Sequence, residues 1–296
     1  MEVFLDNCVA TELFPTEWNA NSYDVSEEYY RYACDGIIKG LTSYGNSLSC
    51  DATLFYEYNK GSGKEPVWIH RDMKYTAKCD PSKMLKTKSD FESVHFDNFS
   101  LFDTLLKQIE AYLGVDFENQ THEEIADIIG RRFKMPKSHT YEIFNAQGLA
   151  GRAKITARPV KFNGKLVINN NFRVFDLVEG YSQSVRVQAF MTYILASVYL
   201  RFKGDSVFPL KPTGKKRDRR TSLINDFLYI YFIMDRQCIF VTSDRALVFK
   251  ASATLRMLRK KDVIMLELDA RRYITIQAKK LKKYAANHAV EQTATT

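Results

Sequence analysis

Asn225-Asp226-Phe-Leu-Tyr-Ile-Tyr-Phe-Ile-Met-Asp-Arg-Gln-Cys-Ile-Phe-Val-Thr-Ser-Asp244 is the stretch that decides how this chain folds. Its first half is apolar at helical length, which predicts a helix over Ser222–Met234. Asp235-Arg236-Gln237 breaks the run, and Cys238–Thr242 then reads as a buried strand of β-branched and aromatic residues. Beyond Asp244 the pattern repeats, with a helix over Ala246–Arg259 and a strand over Val263–Leu268. Helix and strand in alternation predict an α/β fold, with a central parallel sheet covered by helices.

The N-terminus carries the matching half. Val3–Leu5 is a short apolar strand, and Ser26–Leu41 places Tyr30, Cys34, Ile37, Ile38 and Leu41 at helical spacing. Ser47–Cys50 is a second strand, and the helix after it runs through Glu57 and stops near Lys60-Gly61-Ser62-Gly63. Residues 1–61 and 221–272 therefore read as two halves of one discontinuous core, and 62–220 as an inserted helical and β-hairpin lobe. In that lobe 64–95 reads as irregular and lysine-rich, and Phe99–Leu113 as an amphipathic helix. Thr121-His-Glu-Glu124 is a capping box, Ala153–Val178 is hairpin material turning at Asn163-Gly164, and Val185–Arg201 is a buried helix. Lys211–Arg220 is a basic loop. Residues 273–296 read as a basic helix, Thr275–Ala286, with a flexible polar tail.

The 296 residues are 45% hydrophobic and 26% charged, which is ordinary for a chain that buries a core. Lys and Arg exceed Asp and Glu by 43 to 35, and the net charge of +8 favours an anionic partner. The five cysteines are scattered, with no Cys-x-x-Cys, which argues against a disulfide framework or a structural zinc and points to a reducing cytoplasm. No signal peptide is evident, and the longest apolar run, Phe227–Met234, is too short for a membrane span. The His residues are dispersed, and there is no phosphate-binding glycine loop or Ser or Cys nucleophile motif.

Chemistry concentrates in Asp6, Glu57, Asp226 and Asp244, each closing or following an apolar run. Asp226 and Asp244 are 18 positions apart, so a helix, a turn and a strand return the chain to one rim of the sheet. Ligands of α/β sheets bind at the C-terminal ends of the strands, where Asp6 and Asp244 fall. Carboxylates that converge repel one another unless a cation lies between them. Hard oxygen donors without His or Cys suit Mg²⁺ or Mn²⁺.

Val3-Phe-Leu-Asp6-Asn7, Ser47-Leu-Ser-Cys-Asp-Ala-Thr-Leu-Phe-Tyr-Glu57, Asn225-Asp226-Phe-Leu-Tyr-Ile230 and Ile239-Phe-Val-Thr-Ser-Asp244-Arg245 together resemble the PIN-domain nucleases. The likeness covers about 60 N-terminal residues and the segment from Thr221 to Asp269. It implies a compact α/β/α sandwich, a Mg²⁺ or Mn²⁺ cofactor held by Asp6, Glu57, Asp226 and Asp244 as metal ligands and catalytic residues, and RNA as substrate. The chain departs from the family at Cys8, where members carry Asn two residues after the first Asp, and here Asn7 lies one position early. The 169 positions between Glu57 and Asp226 also exceed the family's spacing.

The expected activity is metal-dependent endoribonuclease hydrolysis of RNA phosphodiester bonds, with a toxin or defence role and a homodimer or inhibitor protein as partner. Thr242 and Asn7 are candidates to support the ligands from behind. Arg245, Lys215, Lys216, Arg217, Arg219 and Arg220 are candidates for phosphate contacts, and Tyr29, Tyr30 and Tyr56 for base stacking. Competing readings are a non-catalytic RNA-binding scaffold on a decayed PIN fold and a structure-specific DNA nuclease. A carboxylate after a strand is also a common helix cap, the reading favoured for Asp51 and open for Asp244.

Overall fold

The structure is a computed structural model that describes residues 1–15, 25–60, 74–75, 88–132, 158–159, 181–202 and 219–294. Its strands are β1 (Glu2–Leu5), β2 (Ser47–Cys50), β3 (Lys74–Tyr75), β4 (Arg158–Pro159), β5 (Cys238–Thr242) and β6 (Val263–Glu267). They form one sheet in the order β3-β2-β1-β5-β6-β4. The central four, β2-β1-β5-β6, are all parallel, and β4 is antiparallel to β6 at the edge. Such strands are buried on both faces, which is why Val3, Phe4 and Leu5 and Phe240 and Val241 are buried in unbroken runs.

Helices α1 (Asn7–Leu13), α2 (Glu27–Leu41), α3 (Ala52–Lys60), α4 (Lys88–Leu113), α5 (His122–Arg132), α6 (Val185–Phe202), α7 (Arg219–Ile233), α8 (Arg245–Met257) and α9 (Ala270–Ala294) surround the sheet. α2 packs on α9 and α1, whereas α6 packs on α8, α5, α7 and α4. The molecule is therefore an α/β protein built on a parallel sheet. Phe91, Phe102, Leu106 and Ile109 of α4, Ile125 and Ile129 of α5, and Phe190, Tyr193 and Ile194 of α6 join the same buried cluster as the strands. Helices from the 62–220 segment thus share the core of the sheet. Phe102 meets Phe190, Phe227 and Tyr231 edge-on at ring-centroid distances of 4.9 Å, tying α4 to α6 and α7.

Several elements differ from the sequence reading. α4 begins at Lys88, so residues 88–95, expected to be irregular, are helical. Its buried stripe is Phe91, His95, Asn98, Phe102, Leu106, Ile109 and Leu113, and the polar His95 and Asn98 interrupt the apolar signal. Gly114 ends it at φ +72, where a Cβ would meet the Arg132 guanidinium. Arg219 and Arg220 belong to α7 instead of the basic loop. α9 continues to Ala294 where a flexible tail was expected after Ala286. The capping box opens α5 as read, with Thr121 N–H donating to Glu124 and Glu124 N–H to Thr121 Oγ1 at 3.2 Å. Of the expected hairpin only Arg158–Pro159 is described, and the rest of 153–178 lies outside the described residues. Among the described residues no helix is long and apolar enough to cross a membrane.

Candidate functional site

Parallel strands end on one edge, so Leu5, Cys50, Thr242 and Glu267 share a rim. β1 lies between β2 and β5, with Leu5 opposite Val241, and the Asp6 amide donates to Val241 O at 2.8 Å. That register brings Asp6 beside Thr242. The Thr242 hydroxyl donates to Asp6 Oδ2 at 2.6 Å and accepts from the Asp244 amide at 2.9 Å. One hydroxyl therefore links the carboxylate after β1 to the chain after β5. The Cys8 thiol also donates to Asp6 Oδ2, at 2.8 Å, and accepts from Ser243 Oγ at 3.0 Å.

Asp6 occupies the N-cap position of α1 yet makes no side-chain cap hydrogen bond. Asp51 and Asp244 occupy the same position on α3 and α8, and both cap. Asp51 Oδ1 accepts from the Thr53 and Leu54 amides at 2.8 and 2.9 Å, and Asp244 Oδ1 from the Ala246 and Leu247 amides at 2.7 and 3.2 Å.

Glu57 reaches the rim from α3, where its Oε2 accepts from the Tyr229 hydroxyl of α7 at 2.7 Å. Asp226 lies one turn before Tyr229 on α7, and its Oδ2 holds Lys250 Nζ of α8 at 3.0 Å. The Lys250 ammonium also lies 5.0 Å from the ring centre of Tyr193 on α6.

The charges act on one another. Burial raises the Asp6 carboxyl above its ordinary value against the hydrogen bonds from Cys8 and Thr242, and the charges of Asp226 and Asp244 raise it further. Glu57 is pushed up to about 7, first by burial, with Asp226 and Asp6 adding to it and Tyr229 opposing. The four carboxylates thus form one electrostatic neighbourhood, graded from buried Asp6 through half-buried Glu57 and Asp226 to exposed Asp244.

Among the described residues, no three His, Cys, Asp or Glu side chains are drawn together as a set that could hold a single metal ion. Internal partners take up the oxygens instead: Lys250 at Asp226, Tyr229 at Glu57, and the first turn of α8 at Asp244. The donors suit a hard divalent cation in kind, being carboxylates that repel one another, and gathering them around an ion requires side-chain rotation.

The remaining candidates separate. Asn7 is the first residue of α1, and its buried Oδ1 has no hydrogen-bond partner. Lys215, Lys216 and Arg217 lie outside the described residues, and Arg219 begins α7. Arg220 is committed to internal ion pairs with Glu110 and Asp103 of α4, and Arg245 pairs with Glu267. Tyr30 is fully buried with its hydroxyl on Glu12, so it offers no face to a base, and Tyr56 stacks on His95 at 4.0 Å.

Sequence reasoning missed Cys8 and Ser243 as partners within the rim, along with Tyr229, Lys250 and Tyr193. Tyr229 carried a signal in its position one turn after Asp226. Lys250 carried another, as the lone charge in Ala246-Leu-Val-Phe-Lys-Ala-Ser-Ala253. Tyr193 carried none, because only the fold brings α6 to the rim. No protein-family model, curated protein or solved structure matches the chain.

Proposed function

We propose that the carboxyl rim is the active site of a PIN-like, metal-dependent nuclease that hydrolyses RNA phosphodiester bonds. The observation that carries this reading is the behaviour of Asp6. A buried carboxylate at a helix N-terminus declines the amides it could cap, turns toward Thr242 and Cys8, and sits in the field of Asp226 and Asp244. Charge concentrated in this way is costly to the fold and is retained where a cation uses it.

Asp6, Glu57, Asp226 and Asp244 would hold Mg²⁺ or Mn²⁺, which when bound makes a water more acidic and offsets charge on a phosphate. The chain's own residues orient the donors. Thr242 and Cys8 fix Asp6 Oδ2, Tyr229 fixes Glu57 Oε2, and the α8 amides fix Asp244 Oδ1. The exposed Asp244 leaves the rim open to solvent, as a polymer substrate requires. The net charge of +8 supports a polyanionic substrate.

The test is cleavage of single-stranded RNA and single-stranded DNA in Mn²⁺ by the wild type and by Asp244→Asn, which keeps an N-cap oxygen. Wild-type cutting of RNA that the variant lacks is the expected result. Equal cutting by both, or none by the wild type, would sink the reading. A non-catalytic RNA-binding scaffold is the second reading, and the ion pair between Lys250 and Asp226 favours it, because a lysine there neutralises a ligand permanently if no ion competes.

A further inference from the structure

Lys250 is a buried lysine with its side chain 11% exposed, in the middle of a helix. Lysine almost never takes such a position unpaired, and one salt bridge is weak compensation for desolvating an ammonium. Its ammonium pairs with Asp226 Oδ2 and lies over the face of Tyr193. Tyr193 is fully buried, and its hydroxyl has no hydrogen-bond partner. The negative charges of Asp226, Asp244 and Asp6 all bear on that hydroxyl. A buried hydroxyl without a partner costs stability, so this one is open to a partner held at the rim.

We infer that Lys250 and Tyr193 complete the cation site: the Lys250 ammonium holds Asp226 in the ion-free protein and yields it to a divalent cation, and the Tyr193 hydroxyl receives its partner from the ion's hydration shell. The inference rests on the reading of the rim as a cation site. Four carboxylates against one ammonium leave a surplus of negative charge that a divalent ion can offset. A divalent ion also reaches several carboxylates at once, which a single ammonium on a tether cannot. Tyr193 comes from α6, so the 62–220 segment supplies part of the site wall. Both act as positioning residues.

The two residues predict opposite effects, which a purely structural role would not produce. The experiment titrates the full chain with Mn²⁺ by electron paramagnetic resonance and follows thermal unfolding without and with the ion. Lys250→Met should melt at a lower temperature than wild type without ion, because Asp226 loses its counter-charge, and should bind Mn²⁺ more tightly, by about tenfold for a competitor worth 1.4 kcal/mol. Tyr193→Phe should melt at a higher temperature without ion, because an unsatisfied hydroxyl is gone. It should bind Mn²⁺ more weakly, by up to about tenfold for one hydrogen bond to an ion-held water. Tyr193→Phe removes one atom and carries the test even if Lys250→Met fails to fold. Variants that bind Mn²⁺ as the wild type does would overturn this inference and leave the rim as a metal site. A wild type that binds no Mn²⁺ would overturn the rim reading and this inference together.

Discussion

Asp6 and Asp51 begin from the same position and end in opposite employment. Each directly follows a central parallel strand, each is buried, and each stands at the N-terminus of a helix. Asp51 turns back on its own helix and caps α3 with two hydrogen bonds, so its carboxylate serves the fold. Asp6 leaves α1 uncapped and turns across the rim to Thr242 and Cys8. The neighbouring strand makes the difference. β1 is flanked by β5, whose Thr242 offers a hydroxyl level with Asp6, whereas β2 is flanked by β1 and by the two-residue β3. A carboxylate excused from capping is free to bind something else.

Substitution at the two positions should therefore separate activity from stability. Asp6→Asn keeps the shape and removes a charge that the fold holds at a cost, so the protein should remain folded. Cleavage of single-stranded RNA in Mn²⁺ should fall by more than about a hundredfold, since a ligand is worth at least as much as its supporting shell. Wild-type rates in Asp6→Asn would break the comparison at its functional end. Thr242→Val conserves volume and deletes the hydroxyl joining Asp6 to the Asp244 amide. Rates should drop about tenfold to a hundredfold through misorientation of Asp6, measured as turnover at saturating Mn²⁺ so that weaker ion binding is not mistaken for it. Asp51→Ala should do the reverse of Asp6→Asn. Loss of the cap should cost about 1–2 kcal/mol in denaturant unfolding, with Mn²⁺ binding intact. If Asp51→Ala abolishes Mn²⁺ binding while folded, Asp51 belongs to the site and the contrast collapses.

The pH dependence sharpens the same contrast. Burial pushes both Asp51 and Glu57 up to about 7, from ordinary carboxylate values near 4. A group whose pKa is raised by folding binds more protons in the folded state between those limits. The stability it contributes is complete below pH about 4 and is lost as pH rises through about 7. Ion-free protein in chelator should therefore melt at progressively lower temperature across that window. Mn²⁺ should rescue the part due to Glu57, because the ion favours the ionised carboxylate, and leave the part due to Asp51. A profile that Mn²⁺ does not alter would remove Glu57 from the site.

Much of the sheet was legible because its strands are unbroken apolar runs. Cys238–Thr242 is found where the alternation predicts, and the spacing of Asp226 and Asp244 returns both to one electrostatic neighbourhood. What could not be read was set by contacts between distant segments. Asp6 and Asp51 have the same local signature, and only the partner strand decides which of them caps. Lys250 is the lone charge of its run, and its place beside Asp226 and Tyr193 is set only when α8 packs against α6 and α7. Arg220 looked like a phosphate contact because Glu110 and Asp103 lie more than a hundred positions away in sequence.

The smallest expected effect concerns Cys8, where the sequence departs from the family it resembles. Burial and the Asp6 charge push its thiol up to about 12, so it remains a neutral donor at any working pH. As a donor to Asp6 Oδ2 and an acceptor from Ser243, it does a job that a hydroxyl can do. Cys8→Ser should change cleavage by less than about threefold, since a hydroxyl is a better donor with a shorter reach. Cys8→Ala leaves Asp6 with Thr242 alone and should cost more, up to about tenfold. Comparing the two variants isolates the hydrogen bond from the sulfur. If serine proves as harmful as alanine, the thiol acts through its size or its chemistry, and the contrast between Asp6 and Asp51 depends on more than a well-placed donor.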